Sequence, residues 1–394
     1  MTACLPKGFA AASVAAGIKA SGAPDLALVA TSGDAGAVSA AAVFTQNLAA
    51  AAPVQVSRRN LASSGRRAGA VVINSGCANA ATGRAGLATA DRTARIVAAG
   101  LGLERDQVLV CSTGVIGAEL PFDPIARGVP ALLASLESSE DALRAAARAI
   151  MTTDTREKLA AADLPNGAHV GAIAKGAAMV APNMATMLAV IMTDADVPPE
   201  ELQSSLAAAV AVSFNRLSID GCTSTNDTVI ALASGAGSVS RPLEPGELTA
   251  AFTAVCKDLA HQMASDAEGG TKTVRVVISG AIDDESARIA ARKVADANLV
   301  KCSWYGADPN WGRVVSEIGT AGIEFDPDRV EVSYGPFTVC RAGIAAAHDE
   351  AALAVYLKGP EIEVRCEIGL GKGTGEILSA DLTHGYIDEN MGLS

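Results

Sequence analysis

The stretch Lys175-Gly-Ala-Ala-Met-Val-Ala-Pro-Asn-Met-Ala-Thr-Met-Leu-Ala-Val-Ile-Met192 interrupts the regular pattern of the chain and decides how the rest is interpreted. Its glycine and its Pro182-Asn183 pair predict a turn, and the apolar run that begins at Thr186 predicts a buried strand. A small residue, Ala185, precedes the threonine. On these residues alone, a threonine that simply opens a buried strand is the favoured interpretation.

Thr186 has a second interpretation, as a nucleophile. If the chain is cut before Thr186, the new α-amino group, with an ordinary pKa of about 8, can serve as a base for the neighbouring hydroxyl. The four histidines, at positions 169, 261, 348 and 384, stand in no metal-binding or triad-like motif. The sequence therefore offers no histidine base that would compete with an N-terminal threonine.

The charge and the cysteines narrow the class of protein. A net charge of -12, with Lys and Arg scattered along the chain, gives no basic surface for nucleic acid or for an anionic membrane. No apolar run reaches the length of about 20 residues that spans a bilayer. The eight cysteines include no C-x-x-C pair, and none lies near a histidine at metal-ligand spacing. We therefore expect a reduced, cytoplasmic protein with no bound metal, no nucleic-acid partner and no membrane partner.

Outward from this stretch, short apolar runs alternate with alanine-rich helical patterns, and Gly, Pro and Asn mark the joins. This alternation predicts an α+β fold of layered strands and helices. The predicted strands of the first half are Leu26–Ala30, Val54–Val56, Ala70–Ile73 and Val108–Cys111, and its predicted helices are Ala85–Leu101 and Asp141–Met151. The second half predicts a helix with Asp196 as its N-cap, and strands near Val274–Ile278, Val330–Val332 and Ile362–Val364.

Four polar, glycine-containing or hydroxyl-rich stretches lie between apolar runs. Cys111-Ser-Thr-Gly-Val-Ile-Gly117 has the form of a strand that ends in a glycine turn and exposes backbone and hydroxyl donors, as an oxyanion hole requires. The other three are Asn74–Gly83, Thr223–Thr228 and Gly306–Arg313. Because loops commonly carry binding residues, these stretches together predict a polar site for a small molecule.

At these motifs the sequence resembles the ornithine acetyltransferase family, also called the bifunctional glutamate N-acetyltransferase and amino-acid acetyltransferase. The resemblance runs nearly end to end and rests on strings that share the family's order: Pro6-Lys-Gly-Phe9, Val14-Ala-Ala-Gly-Ile-Lys19, Ser112-Thr-Gly-Val-Ile-Gly117, Met151-Thr-Thr-Asp-Thr155, Lys175–Leu188, Thr223–Thr228, Asp308-Pro-Asn-Trp-Gly-Arg313 and Asp381-Leu-Thr383. It implies an N-terminal-nucleophile-like fold that cuts itself between Ala185 and Thr186. The products would be an α chain, 1–185, and a β chain, 186–394, which pack as one catalytic unit and assemble into a heterotetramer of two each.

The resemblance also implies a reaction. Thr186 takes the acetyl group from N2-acetylornithine and glutamate then collects it, in a ping-pong reaction of arginine biosynthesis through acetyl-Thr186. Thr113 and Gly114 match the oxyanion-hole positions, and the substrate-contacting positions fall on Thr152, Lys175, Thr186, Glu268, Asn390 and Ser394. Lys175 can meet the substrate carboxylate, and Glu268 can meet an ammonium. No cofactor is implied, and acetyl-CoA is a further candidate donor of the acetyl group.

The sequence departs from the family at several positions, and two other functions stay open. Cys77 stands where Asn is usual, Ala178 where Gly is usual, Cys222 where an acidic residue is usual and Cys302 where Thr is usual, and the terminus Asn390–Ser394 is shorter. One alternative is an N-terminal-nucleophile amidohydrolase or aminopeptidase, in which water takes the acyl group. The other is a diverged binding protein without turnover.

Overall fold

The computed structural model describes residues 4–33, 36–179 and 187–391, which form two compact units. The first unit is built from the described residues of Met1–Asn215 and Thr223–Met263, and the second from those of Arg216–Cys222 and Ala264–Leu393. Both units combine helices with strands, which confirms the predicted mixture. The cut between residues 185 and 186 remains a prediction.

Two sheets form the first unit. Its strands, in chain order, are β1 Phe9–Val14, β2 Leu26–Thr31, β3 Val38–Phe44, β4 Arg67–Ala68, β5 Ala70–Cys77, β6 Val108–Val115, β7 Lys158–Asp163, β8 His169–Lys175, β9 Leu188–Thr193 and β10 Thr228–Ala233. A four-stranded sheet has the order β1-β2-β5-β6, and a six-stranded sheet has the order β4-β3-β10-β9-β8-β7. Both sheets are mixed, because β5 runs parallel to β6 and β9 runs parallel to β10, whereas the other neighbours are antiparallel.

The first unit also contains helices. They are α1 Ala52–Ser63, α2 Gly83–Leu101, α3 Phe122–Ala134, α4 Glu140–Ala149, α5 Pro199–Ala211 and α6 Glu247–Ala264. Buried side chains of α2 and α3 pack on the four-stranded sheet, and α5 contacts β3 and β10 of the other sheet. The two sheets share one apolar cluster, which includes Phe9 and Ile73 from the first, Val190 from the second and Leu143 from α4. The first unit is therefore layered, with the two sheets between helices.

The strand registers place the segments that carry the predicted site. Thr113 lies opposite Ser75 in the pair of β5 and β6. Lys175, the last residue of β8, lies opposite Leu188, and Leu188 lies opposite Thr228 at the start of β10. The apolar run that follows the predicted cut is thus the central strand β9, which is buried along its whole length. An uninterrupted apolar run is typical of a strand covered on both faces.

Two local predictions are wrong. Val54–Val56 belongs to α1 rather than to a strand. Pro53 occupies the first turn of this helix, and the helical geometry places the side chains of Val54, Val56 and Leu61 in buried positions. This packing overrides the β-propensity of valine. Asp196 does not cap α5, which begins at Pro199 with Pro198 as its N-cap. A residue that precedes proline avoids helical geometry, so the two prolines delay the start of the helix.

The second unit contains one mixed sheet. Its strands are β11 Thr273–Ala281, β12 Glu331–Tyr334, β13 Phe337–Arg341, β14 Ile344–Ala345, β15 Glu361–Glu367 and β16 Gly373–Ala380, in the order β14-β13-β12-β15-β11-β16. Its helices are α7 Asp284–Asp296, α8 Asn298–Tyr305, α9 Trp311–Gly319, α10 Glu350–Leu357 and α11 His384–Glu389. The core is built around Val276, Trp304, Tyr334 and Val364. Across the described part of the chain, no helix combines the length and the apolar character needed to cross a membrane.

Candidate active site

Thr113 and Gly114 lie near the end of β6, against β5. Gly114 has a φ of +128°, and a Cβ atom there would lie 2.4 Å from the carbonyl carbon of Gly76. Glycine is required at this position, because any other residue would be strained and would clash with the backbone of β5. The close approach of the two strands fixes the backbone beside the Thr113 hydroxyl.

Lys175 ends β8 inside the first unit, and 4% of its surface is exposed. Its Nζ donates a hydrogen bond to Thr152 Oγ1 at 2.6 Å and another to Thr113 Oγ1 at 3.2 Å. Because the Thr113 hydroxyl accepts this bond, its own O–H group can donate to a third group. The structure therefore brings Thr113, Thr152 and Lys175 into direct contact, with Gly114 next in the chain.

A buried carboxylate lies beside Lys175. Asp154 Oδ2 is 3.7 Å from Lys175 Nζ, and Asp154 Oδ1 accepts hydrogen bonds from Lys158 Nζ and from the Gly176 amide, each at 2.7 Å. Burial opposes the charge on Asp154, but the two ammonium groups and these hydrogen bonds outweigh it and lower the pKa of Asp154 to about 2. Two cations and one anion leave the three groups net positive, which suits an anionic group such as a carboxylate.

Sequence reasoning missed Asp154 and Lys158, although Asp154 lies in the string Met151–Thr155. The only signal was an Asp and a Lys four residues apart, a spacing that is common on exposed helices. In the structure neither side chain is exposed. Asp154 precedes β7 and Lys158 is the first residue of β7, so the pair does not lie on a helix. Burial, which the sequence did not reveal, is what makes this pair part of the site.

Asp25, which sequence reasoning also missed, acts through Lys19 on the residue that precedes Thr152. Asp25 is fully buried, and its carboxylate accepts hydrogen bonds from the backbone amides of Ala16, Gly17, Ile18 and Lys19. This holds the string that ends at Lys19, whose Nζ donates to the carbonyl oxygen of Met151 at 2.8 Å. The residue that precedes Thr152 is thereby fixed, which gives the Val14–Lys19 string a structural role near the site.

The predicted cleavage and nucleophile residues, Ala185 and Thr186, lie outside the described residues, and so does Ser394. Met187, which follows Thr186 in the chain, donates its amide to Asp227 Oδ1 at 2.9 Å. Asp227 is fully buried, and burial raises its pKa well above the usual range although the Met187 amide opposes this. Sequence reasoning noted the string Thr223–Thr228 but assigned no role to Asp227.

Glu268 and Asn390 meet in the second unit. Asn390 Nδ2 donates to Glu268 Oε2 at 2.7 Å, and Asn390 also ends α11 as its C-cap. The amide leaves the second carboxylate oxygen of Glu268 available as an acceptor for a ligand. The predicted site residues therefore form one group around Lys175 in the first unit and one pair in the second.

Glu268 also lines a pocket of about 220 Å³ in the second unit. The other ionisable residues of this pocket are Asp220, Asp296, Lys301, Asp381 and Tyr386. Lys301 is buried and donates to Ser379 Oγ at 3.0 Å, and burial lowers its pKa to about 8 although nearby carboxylates oppose this. Four carboxyl groups against one ammonium make the pocket acidic, which suits a cationic group.

The cysteines that replace the family's usual residues are Cys77, which is buried, and Cys222 and Cys302, which are exposed. Cys77 Sγ lies 3.4 Å from the carbonyl oxygen of Ala118, and burial raises the pKa of this thiol. A thiol with a raised pKa is a poor nucleophile and a poor metal ligand. Within residues 4–33, 36–179 and 187–391, no group of three or more His, Cys, Asp or Glu residues is arranged to hold a metal ion.

A family model and curated relatives match almost the whole chain. The ArgJ family model matches residues 10–392. A protein of Mycolicibacterium paratuberculosis named arginine biosynthesis bifunctional protein ArgJ is 46% identical, covering 99% of this chain and 95% of the relative. The protein of that name from Thermobifida fusca is 44% identical and covers 100% of both chains. A crystal structure of ornithine acetyltransferase from Mycobacterium tuberculosis, complexed with ornithine, is 42% identical over 46% of this chain and 95% of that chain, with a TM-score of 0.43.

Proposed function

Because the chain belongs to the ArgJ family and is an acetyltransferase of arginine biosynthesis, we propose that it moves the acetyl group of N2-acetylornithine to glutamate through an ester on Thr186. The hydroxyl oxygen of Thr186 attacks the acetyl carbonyl carbon while the α-amino group of Thr186 accepts the hydroxyl proton. The bond between the acetyl carbon and the ornithine nitrogen then breaks, and the proton passes to the departing amine. The amine of glutamate then attacks the carbonyl carbon of the ester, the bond between that carbon and the threonine oxygen breaks, and the proton lost by the amine returns to the threonine hydroxyl.

The contact between Lys175 Nζ and Thr113 Oγ1 is the observation that carries this proposal. N2-acetylornithine, the donor, and N-acetylglutamate, the product, share an N-acetyl α-amino acid core, in which one Cα–N unit separates the carboxylate from the acetyl group. A buried ammonium bonded directly to a hydroxyl donor matches these two groups. Lys175 binds the carboxylate, and Thr113 with Gly114 stabilises the oxyanion that forms on the acetyl oxygen.

The side chains of the two amino acids are distinguished by charge. Ornithine carries a second ammonium, which Glu268 binds, and the amide of Asn390 orients Glu268. Glutamate carries no such cation and needs Glu268 less. Thr152, which accepts a hydrogen bond from Lys175, adds a hydroxyl beside the bound carboxylate.

The same threonine produces the active form of the protein. Its hydroxyl oxygen attacks the carbonyl carbon of Ala185, and the bond between that carbon and the Thr186 nitrogen breaks, which leaves an ester and frees the α-amino group of Thr186. Water then hydrolyses the ester, which releases the carboxylate of Ala185 and restores the threonine hydroxyl. The resulting α chain, 1–185, and β chain, 186–394, stay together in an N-terminal-nucleophile-like fold, two of each in a heterotetramer. Ser394 contributes a terminal substrate contact. The enzyme needs no cofactor, works in the cytoplasm and accepts acetyl-CoA as a second donor.

Mass spectrometry with and without glutamate tests the proposal. Purified protein is expected to contain the two chains, and N2-acetylornithine alone is expected to add one acetyl mass to the 186–394 chain. Added glutamate should then yield N-acetylglutamate and ornithine in equal amounts. Thr186→Ala should stay uncut and inactive, whereas Thr186→Ser, which keeps a hydroxyl, should be cut and turn over slowly.

Two outcomes would contradict the proposal. Active protein that consists only of the uncut chain would exclude Thr186 as an N-terminal nucleophile. Free acetate that accumulates at the same rate with and without glutamate would identify an amidohydrolase, because water rather than an amino acid would be the acceptor.

A further inference from the structure

The segment Asn226–Thr228 contacts the strand that carries the proposed oxyanion hole. Asn226 Nδ2 donates a hydrogen bond to the carbonyl oxygen of Ser112 at 2.9 Å and to that of Ala78 at 2.7 Å. Ser112 immediately precedes Thr113 in β6. Asn226 therefore links the residues that enter β10 to the backbone next to Thr113.

The next two residues hold Met187 by both of its backbone polar groups. Asp227 Oδ1 accepts the Met187 amide at 2.9 Å, and the amide of Thr228 donates to the Met187 carbonyl oxygen at 3.1 Å. One peptide bond joins Met187 to Thr186. Three consecutive residues thus fix the backbone beside Thr113 and the backbone that follows Thr186.

Asp227 carries a second carboxyl oxygen, Oδ2, that is not needed to accept the Met187 amide. Its side chain is fully buried, and Oδ2 has no hydrogen-bond partner among the residues that the structure describes. Burying a polar oxygen without a partner is unfavourable, and an asparagine could bind the same amide through its single carbonyl oxygen. The orphaned oxygen therefore calls for a function.

Burial also acts on the charge of Asp227. It raises the pKa of Asp227 well above the usual range, although the Met187 amide, the Ser224 side chain and the Lys175 ammonium oppose this. Burial therefore disfavours a negative charge on the group that accepts the Met187 amide.

We propose that Asn226 and Asp227 are positioning residues that hold the strand following Thr186 at a fixed separation from the strand that carries Thr113. The inference rests on the proposed role of Thr186 as nucleophile. Displacing a reacting group by about 1 Å can slow a reaction by about 10²-fold. Loss of the hydrogen bond between Asp227 and the Met187 amide lowers kcat and changes KM little, because Lys175 still binds the substrate carboxylate.

Asp194 provides a matched control at the opposite end of β9. Its side chain is 1% exposed, and its Oδ1 accepts the amide of His169 at 2.6 Å, as Asp227 accepts that of Met187. Asp194→Ser removes a buried bond between a carboxyl group and a strand backbone without touching Met187. Any effect that only follows from lost stability should therefore appear in both Asp194→Ser and Asp227→Ser.

The test compares four variants in purified protein. Asp227→Asn keeps an acceptor oxygen, Asp227→Ser is too short to reach Met187, Asn226→Ala removes the bonds to Ser112 and Ala78, and Asp194→Ser is the control. For each, intact mass gives the rate of the cut before Thr186, and kinetics of the cut protein give kcat and KM. Selective 15N-methionine labelling follows hydrogen exchange at the Met187 amide, with Met187→Leu for assignment.

Asp227→Asn should stay within about tenfold of the wild-type kcat and keep the Met187 amide protected. Asp227→Ser should lose that protection and about 10²-fold in kcat, with KM within about threefold. Asn226→Ala should also lower kcat, and it decides the question if Asp227→Ser does not fold. Asp194→Ser should keep a near-normal kcat.

Equal losses of kcat in Asp227→Ser and Asp194→Ser would overturn the inference, and so would an unchanged kcat in Asn226→Ala. These outcomes differ from a failure of the proposed function. An active wild-type protein that is never cut contradicts the role of Thr186 itself, whereas a cut and active wild type with insensitive variants contradicts only the positioning role.

Discussion

Lys175 Nζ donates a hydrogen bond to Thr113 Oγ1 across 3.2 Å, and the two residues come from different sheets of the first unit. The residue proposed to bind the substrate carboxylate thereby orients the hydroxyl proposed to bind the oxyanion. Substitution of either residue removes a partner of the other. We therefore expect the effects of the two substitutions on kcat/KM not to add, because residues in direct contact are coupled.

Thr113→Val tests the oxyanion hole, since valine keeps the shape of threonine and removes the hydroxyl. The loss of one oxyanion donor typically costs about 10² to 10³ in rate, so kcat should fall by that factor with a smaller change in KM. Steady-state kinetics on fully cut protein measure this. Thr113→Ser, which retains the donor, is the matched control, and a near-normal kcat in Thr113→Val would remove Thr113 from the mechanism.

Lys175→Met should weaken both half-reactions, because both substrates present the carboxylate that Lys175 binds. A hydrogen bond to a charged group contributes about 1.5 to 3 kcal/mol, so each half-reaction should slow by about 10- to 100-fold. Acetyl-enzyme formation from N2-acetylornithine and its discharge by glutamate are measured separately. The fold should persist, since Asp154 still pairs with Lys158.

The control for Lys175→Met is Lys257→Met, which removes an exposed ammonium from α6. It should leave both half-reactions unchanged. A loss confined to one half-reaction in Lys175→Met would show that Lys175 does not bind the carboxylate common to both substrates.

Glu268→Gln should separate the two amino acids. The substitution keeps the size of the side chain and removes the charge that attracts the ornithine ammonium. Acetyl-enzyme formation from N2-acetylornithine should therefore slow more than discharge by glutamate. Glu324→Gln, at an exposed position of the same unit, is the control. Equal slowing of both steps in Glu268→Gln would assign Glu268 a structural or catalytic role instead.

Asp154 makes the stability of the protein depend on pH. Its pKa is lowered from 3.8 to about 2, so the ionised group stabilises the fold above about pH 4 and this contribution is lost as the pH falls towards 2. The shift corresponds to about 2 kcal/mol in the free energy of unfolding. Asp154→Asn should lower that free energy at pH 6 and should reduce its pH dependence between pH 4 and 2.

Urea titrations across this pH range measure the effect. Asp123→Asn, at an exposed position in the first turn of α3, should keep the pH dependence of the wild type. If Asp154→Asn kept the full wild-type loss of stability between pH 4 and 2, the Asp154 carboxylate would not be the titrating group.

Local patterns predicted much of the fold, because they report side chains that act on their own segment. The apolar run that forms β9 and the helical pattern that forms α4 are examples. The same logic failed at Val54–Val56, which forms part of α1 because buried contacts override the β-propensity of valine. Propensity is a weak guide where tertiary packing decides.

The sequence by itself determined the Ala185-Thr186 junction, the hydroxyl at Thr113 and the strings that identify the family. Only the tertiary structure decided that Lys175 reaches Thr113, that the pKa of Asp154 is lowered and that the pKa of Asp227 is raised. The physical reason is that these properties depend on strands paired across long separations in the chain and on burial. A local pattern records neither the register between distant strands nor the dielectric environment that sets a pKa.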